Sequence, residues 1–287
     1  MLIDLELHST YSDGYLPPDQ LAKFIAGQGV KVASLTDHNT LRGLPAFRQA
    51  ADGLGVRTIN GVEIYVTLNN RYFNVIWYNF PEVDADMHRL FRGIQVRRRA
   101  QARKMLEHLA KSGLTVKTEK ILDQFSHYIP INRLIGAVAE ESGNGRKIRA
   151  ATGLENPREE EVIHHYFYLQ NKNILSESYV DLRRVCALKK KIGGQIVVNH
   201  PAKYHRIRRD FFARLKKIGV DGIEVFSPHH SFNATMHLQQ IAREFDFLVT
   251  GGSDFHRLEG NGHRLQHAWQ YYRLESNLMR GINEIIG

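Results

Sequence analysis

Short β-branched or apolar runs recur along this chain, and each is followed by a stretch whose apolar residues fall at helical spacing. That alternation predicts an α/β architecture rather than a sandwich or a helical bundle. Seven candidate strands stand out, at 2–8, 30–35, 58–66, 72–77, 195–199, 222–226 and 247–250. A helix is predicted to open at Pro17-Pro18-Asp19, with Leu21, Phe24 and Ile25 on one face and Gly27 and Gly29 to stop it. Another is predicted over 211–218.

From 81 to 188 the alternation breaks. This stretch reads as helices, and its apolar positions Leu90, Ile94, Met105, Leu106 and Leu109 predict a packed helical insertion rather than a linker. The expected organisation is therefore an α/β domain from 1–80 and 189–287, interrupted by a helical cap at 81–188. Within the insertion, Arg97, Arg98 and Arg99 read as a solvated helix face. Gly143-Asn144-Gly145, with Arg146, Lys147 and Arg149, reads as a basic loop.

Composition narrows the class without choosing a function. With 287 residues, 43% hydrophobic and 24% charged, the chain is long enough and apolar enough for one large domain or two small ones. No apolar run approaches the roughly 20 residues that span a bilayer. The opening Met1-Leu2-Ile3-Asp4-Leu5-Glu6 carries acids where a signal peptide carries bases, and Cys186 is the single cysteine. A soluble, cytoplasmic protein without membrane partners or thiolate metal clusters is expected. The net charge of +9 favours anionic partners, and the 15 histidines matter according to where they fall.

They fall at strand ends. Glu6 and His8 lie two apart at the end of the first strand, so their side chains share a face, and Asp13 follows in a turn closed by Gly14. His38 comes directly after the second strand, in Thr36-Asp37-His38-Asn39-Thr40. Glu63 sits inside an apolar strand, where a carboxylate needs a metal, a proton or a base. Asn199-His200-Pro201 and Ser253-Asp254-Phe255-His256 close two later strands. A lone histidine after a strand usually caps or hydrogen-bonds; five such clusters past five strands point to one shared site, because α/β sheets and barrels gather their sites beyond the strands' carboxyl ends.

These motifs resemble the PHP (polymerase and histidinol phosphatase) family of metal-dependent phosphoesterases. The family pattern H-x-H-S-x-x-S-D-G, T-D-H-D/N-T, G-x-E, H-P and S-D-x-H is met here, in order, by E-L-H-S-T-Y-S-D-G, T-D-H-N-T, G-V-E, N-H-P and S-D-F-H, across 3–80 and 190–265. The layout is most similar to stand-alone members acting on nucleoside 3′,5′-bisphosphates or trimming RNA from its 5′ end. The resemblance implies a distorted (β/α)7 barrel carrying two or three divalent ions (Mn, Fe or Zn). The implied metal ligands are Glu6, His8, Asp13, His38, Glu63, Asn74, His200, Asp254 and His256. Asp13, His38 and His256 would serve one ion, while Glu63 and Asp254 would be shared.

Two positions depart from the family. Glu6 stands in place of the first histidine, a change that favours harder ions such as Mn²⁺ unless Glu6 pairs instead with a cation such as Arg71 or Lys203. Asn74 stands where a strand histidine is expected, and its amide oxygen is a weak ligand, so the ion leaning on Glu63, His200 and position 74 is expected to bind loosely or be absent.

The implied chemistry is hydrolysis of a phosphate ester by a metal-bridging hydroxide, with Asp254, His230 and Arg133 in catalytic roles and Arg133 and His230 touching substrate. The expected partner is a phosphorylated small molecule or nucleotide, or a short nucleic acid. Two alternatives stand beside this reading: a histidinol-phosphate-type phosphatase, and a catalytically degenerate relative that binds metal or phosphate as a sensor.

Overall fold

A computed structural model of the protein describes residues 1–82, 84–125, 127–169, 177–204, 208–257 and 273–287. The last part of the family resemblance, 258–265, lies outside the described residues. The chain separates into two compact units, Met1–His88 with Tyr179–Gly287, and Arg89–Ser178.

The first unit is built on one sheet. Its strands are β1 (Ile3–Leu7), β2 (Val32–Leu35), β3 (Arg57–Leu68), β4 (Arg71–Tyr78), β5 (Val180–Asp181), β6 (Gln195–Val198), β7 (Gly222–Phe226) and β8 (Leu248–Gly251). They run in the order β1-β2-β3-β4-β6-β7-β8, with the two-residue β5 paired to β3. All seven strands expected from the sequence are therefore present.

The sheet is not wholly parallel. β4 runs antiparallel to both β3 and β6, while the remaining neighbours in the path run parallel. The cause is local: only Asn69 and Asn70 join β3 to β4, both with left-handed backbones (φ 49° and 61°). Two consecutive positive-φ residues form the tight turn that folds a strand back on itself, and asparagine tolerates that conformation. The two ends of the sheet meet. An isolated parallel bridge joins Leu7 to Phe255, and the His8 amide donates to the Phe255 carbonyl at 3.0 Å.

The unit's helices are α1 (Pro18–Gly27), α2 (Leu44–Asp52), α8 (Leu182–Ile192), α9 (Arg209–Ile218), α10 (Phe232–Glu244) and α11 (Asn283–Ile286); the intervening α3 to α7 are described with the second unit. α1 begins at the expected proline and buries Leu21, Ala22 and Ile25. β1 shows how the strands serve two masters. Every residue of Ile-Asp-Leu-Glu-Leu is buried, and the pleat sends Ile3, Leu5 and Leu7 to one face and Asp4 and Glu6 to the other.

The second unit holds α3 (Ala85–Lys111), which begins just before it, then α4 (Thr118–Leu122), α5 (Ile131–Ala139), α6 (Asn144–Thr152) and α7 (Glu159–Ile163). Its own core includes Leu106, Leu109, Leu122, Leu134, Val138 and Phe167. Two sequence expectations are corrected here. The Arg97–Arg99 run is not a solvated face: Arg98 is buried, donates from Nε to the Ile129 carbonyl (2.8 Å), pairs with Glu177 (3.0 Å) and stacks on Tyr128. Arg99 meets Asp123 and Arg97 meets Ser178. Nor is 143–149 a loop, because α6 starts at Asn144. The buried Asn144 amide donates to the carbonyls of Thr115 and Val138, both at 2.7 Å, and its oxygen accepts from the Thr115 amide (2.8 Å). Three bonds from one side chain outweigh the turn signal of the flanking glycines.

No helix among the described residues is long and apolar enough to cross a membrane. Cys186, on α8, is 1% exposed, and burial pushes its thiol up to about 11. Since the thiolate is the reactive form, native protein at pH 8 is expected to resist alkylation for hours and to be labelled within minutes once unfolded, as read by intact-mass spectrometry.

Candidate metal centre

The inward face of the sheet carries the polar residues that the sequence singled out. Glu6 projects from β1 and His8 follows directly after it. His38 is brought beside Glu63 because the β2–β3 pairing continues past β2: the Glu63 amide donates to the Thr36 carbonyl (3.2 Å), and the Asn39 amide to the Glu63 carbonyl (2.8 Å). Asp254 and His256 arrive through the Leu7–Phe255 bridge, and the Tyr15 amide donates to the His256 carbonyl at 2.8 Å.

The loop after β1 is held by Asp37. One Asp37 oxygen accepts from the Ser9 amide (2.8 Å) and the Ser12 hydroxyl (2.6 Å), and the other from the Ser9 hydroxyl (2.6 Å). This explains why serines and an aspartate recur in these two motifs alongside the candidate ligands. Gly14 is needed for close approach, since a Cβ there would lie 2.1 Å from the His8 carbonyl oxygen.

The ligand-type atoms converge closely. His8 Nε2 is 3.2 Å from both Glu63 Oε2 and Asp254 Oδ1; His38 lies 3.4 Å from Asp13 and 3.3 Å from Glu63; His256 lies 3.3 Å from Asp13 and 3.5 Å from Asp254. His200 Nε2 is 3.5 Å from Glu63 Oε1 and 4.0 Å from Glu6. Two strained backbones contribute, with positive φ at His200 (25°) and Asp254 (50°), a kind of outlier that clusters at functional sites.

Electrostatics supports a cation-binding role. Burial opposes ionisation of Asp13, Glu63 and Asp254, yet the histidines around them hold all three well below the usual carboxylate range. Burial equally opposes a charged His8, and Asp254 and Glu63 overcome it, raising His8 well above its ordinary value. Glu6 is pushed well up by burial and by Asp254, Glu224 and Glu63, while burial takes Glu224 up to about 8 and Asp4 up to about 7. Among the described residues no lysine or arginine pairs with Glu6, Glu63, Glu224 or Asp254. Glu6 meets the Asn199 amide at 2.6 Å, and Arg71 lies over the Phe211 ring instead, so the Arg71 alternative for Glu6 is set aside.

A divalent ion fits this donor set. Glu6 Oε2, His8 Nδ1 and Nε2 and Glu63 Oε2 are buried without a hydrogen-bond partner. Each such atom costs about 1–3 kcal/mol if nothing binds it. The 3.2–3.5 Å spacings also match ligand-to-ligand edges of about 3.0–3.4 Å around an ion with bonds near 2.1 Å. Three groupings have ligand atoms mutually within 4.8 Å: His8, Asp13, His38 and His256; Glu6, His200 and Asp254; and Glu6, His8 and Glu63.

Asn74 does not face the centre as a donor of oxygen. Its Nδ2 donates to Glu63 Oε1 at 2.6 Å. His230 is also placed differently from expectation: its Nδ1 meets the Val225 carbonyl (2.9 Å) and its Nε2 accepts from the Ala202 amide (3.3 Å), so both ring nitrogens are used by backbone. Its neighbour His229 is the one that reaches the centre, with Nε2 2.6 Å from Asp254 Oδ2 and about a third of its side chain exposed. A pair of adjacent histidines left the sequence unable to say which faces inward. Glu224 was also missed, although Gly222-Ile223-Glu224 repeats the signal of a carboxylate inside an apolar strand. Arg133 lies on α5 in the helical unit.

Comparison with known proteins follows the same line. The family described as PHP domain matches residues 4–275. A phosphoribosyl 1,2-cyclic phosphate 1,2-diphosphodiesterase from Eggerthella lenta is 27% identical over 89% of this chain and 94% of its own length. A 5′-3′ exoribonuclease from Haemophilus influenzae is 26% identical over 88% of this chain and 89% of its own. A solved amidohydrolase from Chromobacterium violaceum, with bound sulfate and no metal, shares the fold with a TM-score of 0.73 at 23% identity, over 89% of this chain and 88% of that one.

Proposed function

The chain belongs to the PHP domain family, and from that premise we propose that it is a metal-dependent phosphoesterase hydrolysing a phosphate ester on a nucleotide, a nucleoside bisphosphate or an oligonucleotide end. The observation that carries this reading is the set of buried, unpartnered carboxylate and imidazole atoms converging on one volume. Bound divalent ions supply neutralisation of phosphoryl charge and lower the pKa of water.

The residues divide the remaining work. Asp13, His38 and His256 would hold one ion and Glu6 and His8 another, with Glu63 and Asp254 shared between them. His229, fixed by Asp254 and partly exposed, is the group able to hand a proton to a leaving oxygen or to take a phosphate oxygen. Arg133 is proposed to take a substrate phosphate. Both relatives named above act on phosphodiester bonds by their descriptions, which supports a phosphorylated ribose or RNA end as the substrate class.

The test is a phosphatase panel with added Mn²⁺, covering nucleoside bisphosphates, mononucleotides, histidinol phosphate and short RNAs. Phosphate release from nucleotide substrates, abolished by chelation, supports the reading. Ion binding without turnover on any of them overturns it in favour of a sensor. His229→Ala is expected to lower kcat by about 100- to 10,000-fold, whereas His230→Ala is expected to lower thermal stability with a much smaller effect on kcat; steady-state kinetics beside thermal melts separates the two.

A further inference from the structure

The two oxygens of Glu63 face different environments. Oε2 lies 3.2 Å from His8 Nε2 and 3.3 Å from His38 Nδ1 and accepts no hydrogen bond. Oε1 accepts two, from Asn74 Nδ2 at 2.6 Å and from Asn199 Nδ2 at 2.7 Å. The Asn199 amide cannot be turned over at no cost, because its oxygen accepts the His200 amide (3.1 Å); its NH₂ must then face the acids, where its second bond goes to Glu6 Oε1 at 2.6 Å. Reversing Asn74 would set its oxygen 2.6 Å from another acceptor.

Main-chain contacts fix the backbone from which both side chains project. The Asn74 amide nitrogen donates to the Tyr204 hydroxyl (3.1 Å), and the Asn199 nitrogen donates to the Asn74 carbonyl (3.0 Å). An NH₂ group has no lone pair to offer a cation, so two neutral donors occupy the acceptor sites that a third ion would need. His200 is held by its backbone, whose amide also donates to Glu224 Oε2 at 2.7 Å.

We propose that this protein carries a two-ion centre, in which Glu63 serves ions through Oε2 alone and the Asn74 and Asn199 amides replace a third cation at Oε1. Asn74 and His200 are then positioning residues that aim Glu63, not ligands. This inference rests on the proposed metal binding, and it takes the lower of the two ion counts that the family resemblance implies.

The full-length chain is stripped with chelator, saturated with Mn²⁺, freed of excess, and its metal-to-protein ratio measured by elemental analysis and native mass spectrometry. Two ions per chain are expected, with the ratio unchanged in His200→Ala and Asn74→Ala and reduced in Asp254→Ala. The Asn74→Ala arm decides the matter if His200→Ala fails to fold. Three ions in the wild type, or loss of an ion on removing Asn74 or His200, overturns the two-ion centre while leaving metal binding intact. No bound ion in the wild type overturns the metal reading itself.

Discussion

Asp254→Ala is expected to abolish measurable turnover and to lower ion content. Asp254 touches three histidines: His8 at 3.2 Å, His256 at 3.5 Å and His229 at 2.6 Å. Its removal would take a proposed ligand from the ions and the anchor from His229 together. Loss of a residue that merely supports a metal ligand typically costs about 10- to 100-fold, so a drop beyond 100-fold in kcat/KM is expected when the ligand itself goes. Full activity in Asp254→Ala, measured on protein shown by circular dichroism to be folded, would remove the centre from the mechanism.

Asp37→Ala should be as damaging by a different route. Asp37 belongs to none of the three ligand groupings, yet it accepts from the Ser9 amide, the Ser9 hydroxyl and the Ser12 hydroxyl. All three donors are buried; the Ser12 hydroxyl keeps Asp13 Oδ1 at 3.3 Å, and each of the two Ser9 donors left without an acceptor costs about 1–3 kcal/mol. A loss of several kcal/mol in unfolding free energy is expected. The loop carrying Asp13 should also loosen, so Mn²⁺ affinity should fall along with the denaturation midpoint. Weakened ion binding at unchanged stability would show that Asp37 acts on the ions directly instead.

Much of this was legible from the chain. β1 alternates Ile3, Leu5 and Leu7 against Asp4 and Glu6, and that period alone puts the carboxylates on one face of a buried strand. What the sequence hid follows from its local character. Asn69-Asn70 is a hairpin signal, but the expectation of repeated parallel units obscured it, and β4 turned out to run against its neighbours. Side-chain pattern says little about which of His229 and His230 turns inward, since the segment between β7 and α10 has no regular period to read. Arg98 illustrates the same limit: a run of like charges suggests solvent, and only the tertiary placement of Glu177 and Tyr128 shows that one member is inside. Nor could spacing distinguish an amide that ligates from one that donates, which at Asn74 depends on Asn199, just past a strand more than a hundred residues away.

The central claim, that the buried carboxylate–histidine cluster binds divalent ions, is tested most directly by calorimetric titration of Mn²⁺ into chelator-stripped protein in buffers of differing ionisation enthalpy. Without ions, His8 is raised well above its ordinary value by Asp254 and Glu63 against the opposing effect of burial, and Glu6 is raised by burial and its acidic neighbours, so each keeps its proton to a higher pH than an isolated group of its kind. An arriving cation must displace those protons. Saturable binding with net proton release, weakening as pH falls and lost in Asp254→Ala, is the expected result; absence of binding, or equal binding and proton release in Asp254→Ala, would contradict it.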